Sequence, residues 1–225
     1  MSAFEDRMSG YDTLSDLRAE RGGPIVVRLD GKSFSKYTRG MDRPFDVRLA
    51  YIMNETTSFL VKETGAQIGY TGSDEITIIL YNKGPQSEHW FGGRLMKISS
   101  LTAAMTTAYF NSKSLISFPD KPLAYFDARA YSVPSIEEAI NQLQWRQGSV
   151  EKNAVSMAAQ HYFSAKKLIG VNNPQKIQML AEIGVTYSDY ALSFRMGTYY
   201  GKNGQILPDY DVRGEGRLVP LQPNE

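Results

Sequence analysis

Gln67-Ile68-Gly69-Tyr70-Thr71-Gly72-Ser73-Asp74-Glu75-Ile76-Thr77-Ile78-Ile79-Leu80-Tyr81 holds two short runs rich in β-branched and aromatic residues around a small polar centre. That pattern predicts two antiparallel strands, Gln67 to Tyr70 and Ile76 to Tyr81, joined by a tight turn over Thr71 to Glu75. A third strand is expected at Pro24-Ile25-Val26-Val27-Arg28-Leu29-Asp30, where Asp30-Gly31 ends a β-branched run. Between these segments Phe45, Leu49, Ile52, Met53, Phe59 and Leu60 form one helical stripe over residues 44–64, with Pro44 suited to the first turn and Gly65 to the end. A second helix is marked by Phe91, Leu95, Ile98, Met105 and Tyr109, and Leu123 to Tyr131 reads as a further strand. Ser135 with Glu138 forms a capping-box pattern opening a helix toward Gln144. Residues 150–168 and 174–183 read as two more helices, and 193–200 as a strand. The order β, α, β-hairpin, α, β, α predicts an α+β fold: an antiparallel sheet with helices on one face, then a helical C-terminal portion. The expected boundary near Val133 to Ser135 separates residues 1–134 from 135–225, the two packed as one unit.

The chain's 225 residues are 42% hydrophobic and 12% aromatic, enough for a sizeable core and incompatible with a disordered chain. Without cysteine, disulfides, thiolate catalysis, Fe–S clusters and cysteine-ligated zinc are excluded. Two histidines, His89 and His161, are too few for a histidine-rich metal site. Any chemistry therefore falls to carboxylates, hydroxyls and cations. The acid-rich first twenty residues lack the apolar run of a signal peptide, and nothing approaches the ~20 apolar residues of a membrane span. No membrane partner and a cytoplasmic location are expected.

Gly31-Lys32-Ser33 matches the last three positions of a phosphate-binding loop, but the glycine that motif needs five residues earlier is Val26, inside the strand. The stronger constellation is Asp30 with Asp74-Glu75. Pairing of the hairpin beside the first strand would bring these carboxylates to one edge of the sheet. Carboxylates without histidine or cysteine suit Mg²⁺, or Mn²⁺, and two such ions can clamp the attacking and leaving oxygens of phosphoryl transfer. The Gly31 carbonyl is a further candidate ligand. Asp-Gly after a strand and Ser-Asp in a hairpin are also ordinary turn and capping residues, and spacing alone favours that plainer reading.

Charge shifts the balance. A net charge of +1 gives no global hint of a nucleic-acid partner, yet it is segregated. Residues 28–48 hold Arg28, Lys32, Lys36, Arg39, Arg43 and Arg48 against three acids, and a cationic segment beside a carboxylate cluster is what a triphosphate with its metals requires. Arg94 and Lys97, one helical turn apart, are candidates for further phosphate contacts. Over 145–176, Arg146, Lys152, Lys166, Lys167 and Lys176 interleave with Trp145, His161, Tyr162 and Phe163, which suits RNA, although the pattern alone favours the plainer reading of an amphipathic helix with core aromatics and a wet basic face.

Arg28-Leu29-Asp30-Gly31-Lys32-Ser33-Phe34, Arg43-Pro44-Phe45-Asp46 and Gly72-Ser73-Asp74-Glu75 together resemble the tRNA-His guanylyltransferase superfamily. Phe126-Asp127-Ala128-Arg129, Trp145-Arg146-Gln147, Asn153, Phe163-Ser164, Lys166, Leu168-Ile169-Gly170, Arg195 and Gly197-Thr198-Tyr199 extend the likeness in the same order over roughly residues 5–200. The resemblance implies a polymerase-like palm with two Mg²⁺ ions that adds nucleotides to an RNA 5′ end. A nucleoside triphosphate, ATP or GTP, first activates the 5′-phosphate, and the 3′-hydroxyl of the incoming nucleotide (GTP favoured) then attacks. It also implies a homotetramer acting on tRNA or a tRNA-like RNA. Carried over by residue, Asp30, the Gly31 carbonyl and Asp74 hold metal, with Glu75 as a catalytic companion. Lys32, Ser33, Phe34, Ser35 and Ser73 border the nucleotide, and Arg43, Asp46, Arg94 and Lys97 fall at the activating triphosphate. Trp145, Arg146, Lys152, Asn153 and Lys166 face RNA.

Three departures matter. Glu151-Lys152-Asn153-Ala154 stands where eukaryotic members carry His-Ile-Asn-Asn, Arg43-Pro44-Phe45-Asp46 replaces Lys-Pro-Asn-Asp, and Phe163-Ser164-Ala165-Lys166 replaces Phe-Ser-His-Lys. These place the chain with the Thg1-like proteins, for which templated 5′-end repair is expected rather than strict guanosine addition to tRNA-His. A palm-domain nucleotide cyclase or oligonucleotide synthetase, and a non-catalytic RNA-binding module, are the competing classes.

Overall fold

The computed structural model describes residues 2–14, 16–82, 88–207, 210–211 and 219–220. The expected C-terminal portion, 135–225, therefore lies partly outside the described residues. Strand β1 (Ile25–Gly31) sits inside a six-stranded antiparallel sheet, flanked by β3 (Glu75–Leu80) and β4 (Phe126–Ser132). β2 (Ile68–Gly72), β5 (Thr198–Gly201) and β6 (Ile206–Leu207) complete the order β4-β1-β3-β2-β5-β6. The first four form the β4-β1-β3-β2 arrangement of a βαββαβ unit.

Helix α1 (Ala3–Thr13) was not anticipated, although Ser2 and Glu5 form a capping box at its start; none of its residues is buried. A one-turn helix, α2 (Phe34–Tyr37), follows β1, and α3 (Val47–Thr64) and α4 (Leu95–Ser117) complete the first part. α3 begins three residues later than Pro44 because Asp46 is its N-cap, and it ends as expected on Gly65 in the left-handed conformation. α4 starts after a 3₁₀ turn, Trp90–Gly93, in which Phe91 has φ +51°, so Phe91 lies outside the helix it was expected to open.

Alternation along the strands assigns the two faces. Ile25, Val27, Leu29, Ile76 and Ile78 point to one side, where Ile52, Met53 and Leu60 of α3 and Ile98 and Phe110 of α4 bury them. Val26, Ile79 and Tyr70 point to the other, against Ala139, Leu143 and Val150 of α5 (Ile136–Tyr162). Helices α2, α3 and α4 thus occupy one face, and the C-terminal portion covers part of the other and adds β5 to the sheet.

α5 is one helix where two had been expected with a gap around 145–149. Gln147 Nε2 donates to Glu151 Oε1 (2.9 Å) and Ser149 Oγ to the Trp145 carbonyl (3.1 Å), so side chains bridge the Gly148 position. The Tyr199 hydroxyl further pins Gln147 at 2.6 Å. α6 (Ala165–Leu168), α7 (Asn173–Glu182) and α8 (Leu192–Met196) follow; α8 replaces the front half of the strand expected over 193–200. No helix among the described residues is long and apolar enough to cross a membrane.

Candidate functional site

Pairing in the sheet brings the expected carboxylates together. β1 runs antiparallel to β3 with Asp30 opposite Glu75, and Gly31 N–H donates to the Asp74 carbonyl at 3.2 Å. The Ser73–Asp74 turn therefore lies across the end of β1, beside Asp30 and Gly31. Two serines next to these positions, Ser33 and Ser73, have φ of +57° and +58°. Such left-handed backbone is disfavoured for residues with a Cβ and gathers where a site needs a particular shape.

Gly31 is required by close approach. A Cβ there would lie 2.2 Å from the Phe34 ring, which is buried among Tyr37, Phe110 and Phe126 and has nowhere to move. Gly31→Ala is expected to destabilise by about 1–3 kcal/mol through overpacking, and to displace the turn that follows Asp30. A chemical melt of the variant beside the wild type measures the first effect.

Burial pushes the Asp30 carboxyl up; Arg28 opposes this, while Glu75 and Asp127 add to it. Burial likewise pushes Asp74 up, against its own N–H and the Ser73 hydroxyl, and Asp30 and Glu75 reinforce the rise. The apoprotein thus holds two carboxylates whose negative charge is only partly compensated. That donor set fits Mg²⁺, which takes one or two carboxylates and completes its shell with substrate phosphates and water. No cluster of three or more acidic, histidine or cysteine ligands exists among the described residues, so an all-protein cage is not what this edge offers.

Glu75 behaves differently. Its carboxylate takes both Nε and Nη2 of Arg146 and also Arg28 Nη2, the last at 2.9 Å. It is 8% exposed and enclosed by two guanidiniums, away from the role of a free acid or base. Arg146, expected to face RNA, is turned inward instead, while its neighbour Trp145 stays 61% exposed and stacks under the guanidinium.

Beside Ser73 and Asp74 opens a cavity of about 350 Å³. Its floor and walls come from the 34–46 segment, the first turns of α3, the end of β2, and Val150, Asn153, Ala154 and Met157 of α5. Phe45 closes one side by stacking on Phe194 (centroids 4.9 Å apart, planes at 6°), with Tyr190 edge-on. α5 can pass this close because Gly72 lacks a side chain: a Cβ there would meet Val150 at 2.6 Å.

Of the residues expected at the nucleotide, Phe34, Ser35, Arg43, Asp46 and Ser73 line this cavity, and so does Asn153, which had been assigned to RNA. Lys32 and Ser33 are exposed outside it, Lys32 Nζ lying 6.0 Å from the Tyr125 ring centre. Lys152 and Lys166 are exposed on α5 and α6. Arg94 and Lys97 stand apart. Thr107 of α4 accepts from Phe126 N–H near Gly31, Ser99 from Ala130 N–H further along, so the helix start lies at the far end of β4. There Arg94 pairs with Asp16 (2.9 Å) and Lys97 rests over the Phe91 ring. Sequence reasoning gave no role to Asp127, opposite Asp30 on β4, or to Phe194; register supplies the first and ring stacking the second.

Asp46 is committed to structure. It caps α3 through the N–H groups of Arg48 and Leu49, accepts from Asp42 N–H, and pairs with Arg48. Burial alone would push its carboxyl up; Arg48 and these N–H donors outweigh that and hold it at about 2, below the ordinary 3.8. A depressed pKa stabilises the fold above the unfolded value and loses that contribution as pH falls through the folded one. Asp46→Ala should therefore cost about 2 kcal/mol at neutral pH, the gap from wild type shrinking as pH drops from about 4 to about 2, which urea melts across that range will read.

With this geometry in place, the likeness to known proteins is specific. Residues 5–134 match the family model described as "Thg1: tRNAHis guanylyltransferase". An uncharacterised protein of Acanthamoeba polyphaga mimivirus is 30% identical, covering 92% of this chain and 79% of its own. The tRNA(His) guanylyltransferase of Saccharomyces cerevisiae is 27% identical over 81% of this chain and 84% of its own. Among solved structures, a bacterial Thg1-like protein in complex with ATP superposes with TM-score 0.86 at 35% identity, covering 91% of each chain. A bacterial Thg1-like protein in complex with GTP does so with TM-score 0.75 at 33% identity, covering 88% and 85%. The chain belongs to the Thg1 family of tRNAHis guanylyltransferases, which are nucleotidyltransferases.

Proposed function

We propose that this protein is a metal-dependent nucleotidyltransferase that extends tRNA, or a tRNA-like RNA, at its 5′ end after activating the 5′-phosphate with ATP or GTP. The observation that carries the reading is the meeting of Asp30, Gly31 and Asp74 at one sheet edge beside a nucleotide-sized cavity. Asp30, the Gly31 carbonyl and Asp74 would hold Mg²⁺. When bound, such ions lower the pKa of an attacking hydroxyl and neutralise charge on the reacting phosphates. The cavity orients a nucleotide between the Phe45–Phe194 wall and the Ser73 turn, and Arg43 at its rim supplies a guanidinium for phosphate oxygens. In the activation step the RNA 5′-phosphate displaces pyrophosphate from ATP; in the addition step the 3′-hydroxyl of GTP displaces AMP. The exposed Trp145, Lys152 and Lys166 are the RNA-facing groups, in a tetramer that light scattering would register.

Repair of truncated 5′ ends is favoured over guanosine addition to tRNA-His. The support is that residues 151–154 lack the histidine of the eukaryotic stretch. A panel of 5′-truncated tRNAs of several identities, each given the four nucleotides singly, tests this. Incorporation that follows the opposing base supports repair; guanosine added only to tRNA-His refutes it. Products formed from triphosphates without RNA would instead mark a cyclase or oligonucleotide synthetase.

A further inference from the structure

Glu75 sits at the catalytic edge yet is wholly engaged by cations, and the reason lies in what those cations would otherwise do. Arg28, Asp30 and Glu75 share one face of the sheet, because Asp30 and Glu75 are directly opposite and Arg28 is two residues before Asp30. Arg28 Nη2 is 2.9 Å from Glu75 Oε2 and 3.8 Å from Asp30 Oδ1. One guanidinium is therefore shared between a close partner and a metal-ligand candidate less than an ångström further away. Arg28 Nε is buried with no hydrogen-bond partner among the described residues, as is Thr77 Oγ1, its cross-strand neighbour. Arg28 thus has unused donor capacity. Glu75 is itself braced by the two-pronged contact from Arg146, which fixes it against Arg28.

We propose that Glu75 is a positioning residue that sequesters Arg28, keeping its guanidinium from forming a full ion pair with Asp30 and so leaving Asp30 free to ligate a divalent cation. This rests on the reading of Asp30 and Asp74 as the metal-holding pair. Loss of the Glu75 charge releases Arg28, which closes on Asp30 and competes with the cation; deletion of the Arg28 charge removes the competitor. The consequence is a suppressor relationship. Glu75→Gln weakens cation binding about ten- to hundredfold, the scale of lost outer-shell support, and Arg28→Met restores it within the Glu75→Gln background. Methionine retains most of the buried stem of Arg28 without its charge.

The test is Mn²⁺ binding by the purified proteins, followed through the electron paramagnetic resonance signal of free Mn²⁺ rather than through activity. Wild type, Glu75→Gln, Arg28→Met, the double variant and Asp74→Asn are titrated in parallel, with melting curves recorded for each. Weakened binding in Glu75→Gln and recovery to about threefold of wild type or better in the double variant is the expected result. Wild-type affinity in Glu75→Gln, or a double variant as weak as Glu75→Gln, overturns the proposal, since Glu75 would then be dispensable or would act on the ion itself. Should Glu75→Gln not fold alone, Glu75→Asp, too short to hold both arginines, takes its place: weakened binding that Arg28→Met restores supports sequestration, and wild-type affinity or an unrestored loss overturns it. Undiminished Mn²⁺ binding by Asp74→Asn would instead overturn the metal reading, and with it this proposal, a pattern distinct from failed suppression.

Discussion

Asp74→Ala and Asp30→Ala are each expected to reduce 5′ extension by about three orders of magnitude or more, because on the proposed mechanism each would hold the ions that neutralise the reacting phosphates, and no neighbouring carboxylate is placed to substitute. Glu75 is held by two arginines, and Asp127 lies on the far side of Asp30 from the Ser73–Asp74 turn. A loss of this size separates a direct role from a change in shape, which Asp74→Asn tests in the opposite direction. Burial and the nearby carboxylates push Asp74 up, so its ionised form works against the apoprotein fold. Asp74→Asn should therefore melt at a higher temperature than wild type without metal, and gain less from added Mg²⁺. A variant that lost activity and stability together would contradict this account of the edge.

The second large effect is structural. Arg146→Ala removes one of the two guanidiniums from a buried carboxylate, which should cost about 3 kcal/mol. For a chain of this size that is a fall of roughly 6–12 °C in melting temperature. Arg146→Lys should recover only part of this, because an ammonium cannot make the two parallel bonds that Arg146 makes to Glu75. The same substitution loosens α5 from the sheet at the level of the cavity, since Gln147, Val150, Asn153 and Ala154 follow on that helix. Nucleotide affinity should fall along with stability, and a paired measurement of melting temperature and ATP binding checks both.

The legible parts of this molecule are those in which local pattern and global position coincide. The 67–81 hairpin and the 24–30 strand declared themselves by β-branched runs, and once they pair, Asp30 and Asp74 must meet. Gly65 similarly marks the end of α3 through capping chemistry that is readable in the chain, whereas the start, expected at Pro44, falls three residues later, where Asp46 caps it. What escaped depends on partners distant in sequence. Glu75 and Arg146 are 71 residues apart, and nothing in either segment says that the arginine turns inward rather than toward RNA. The gap expected around Gly148 vanished because Tyr199 and Glu151 hold Gln147 from outside and along the helix. Arg94 and Lys97 looked like phosphate ligands from charge and spacing, yet the direction of α4 along β4 carries them to the opposite end of the sheet. The wall formed by Phe45 and Phe194 joins a loop to a short helix near the end of the chain, and only the folded structure shows it.

One reaction tests most directly whether the chain extends RNA at its 5′ end. Wild-type protein incubated with a 5′-monophosphorylated, 5′-truncated tRNA, ATP, labelled GTP and Mg²⁺ should yield RNA longer by one or more nucleotides at the 5′ end, with AMP and pyrophosphate released. The product should vanish with EDTA and with Asp74→Asn. RNA that stays unextended while the protein binds ATP and Mg²⁺ normally, or extension that persists in Asp74→Asn, would contradict it.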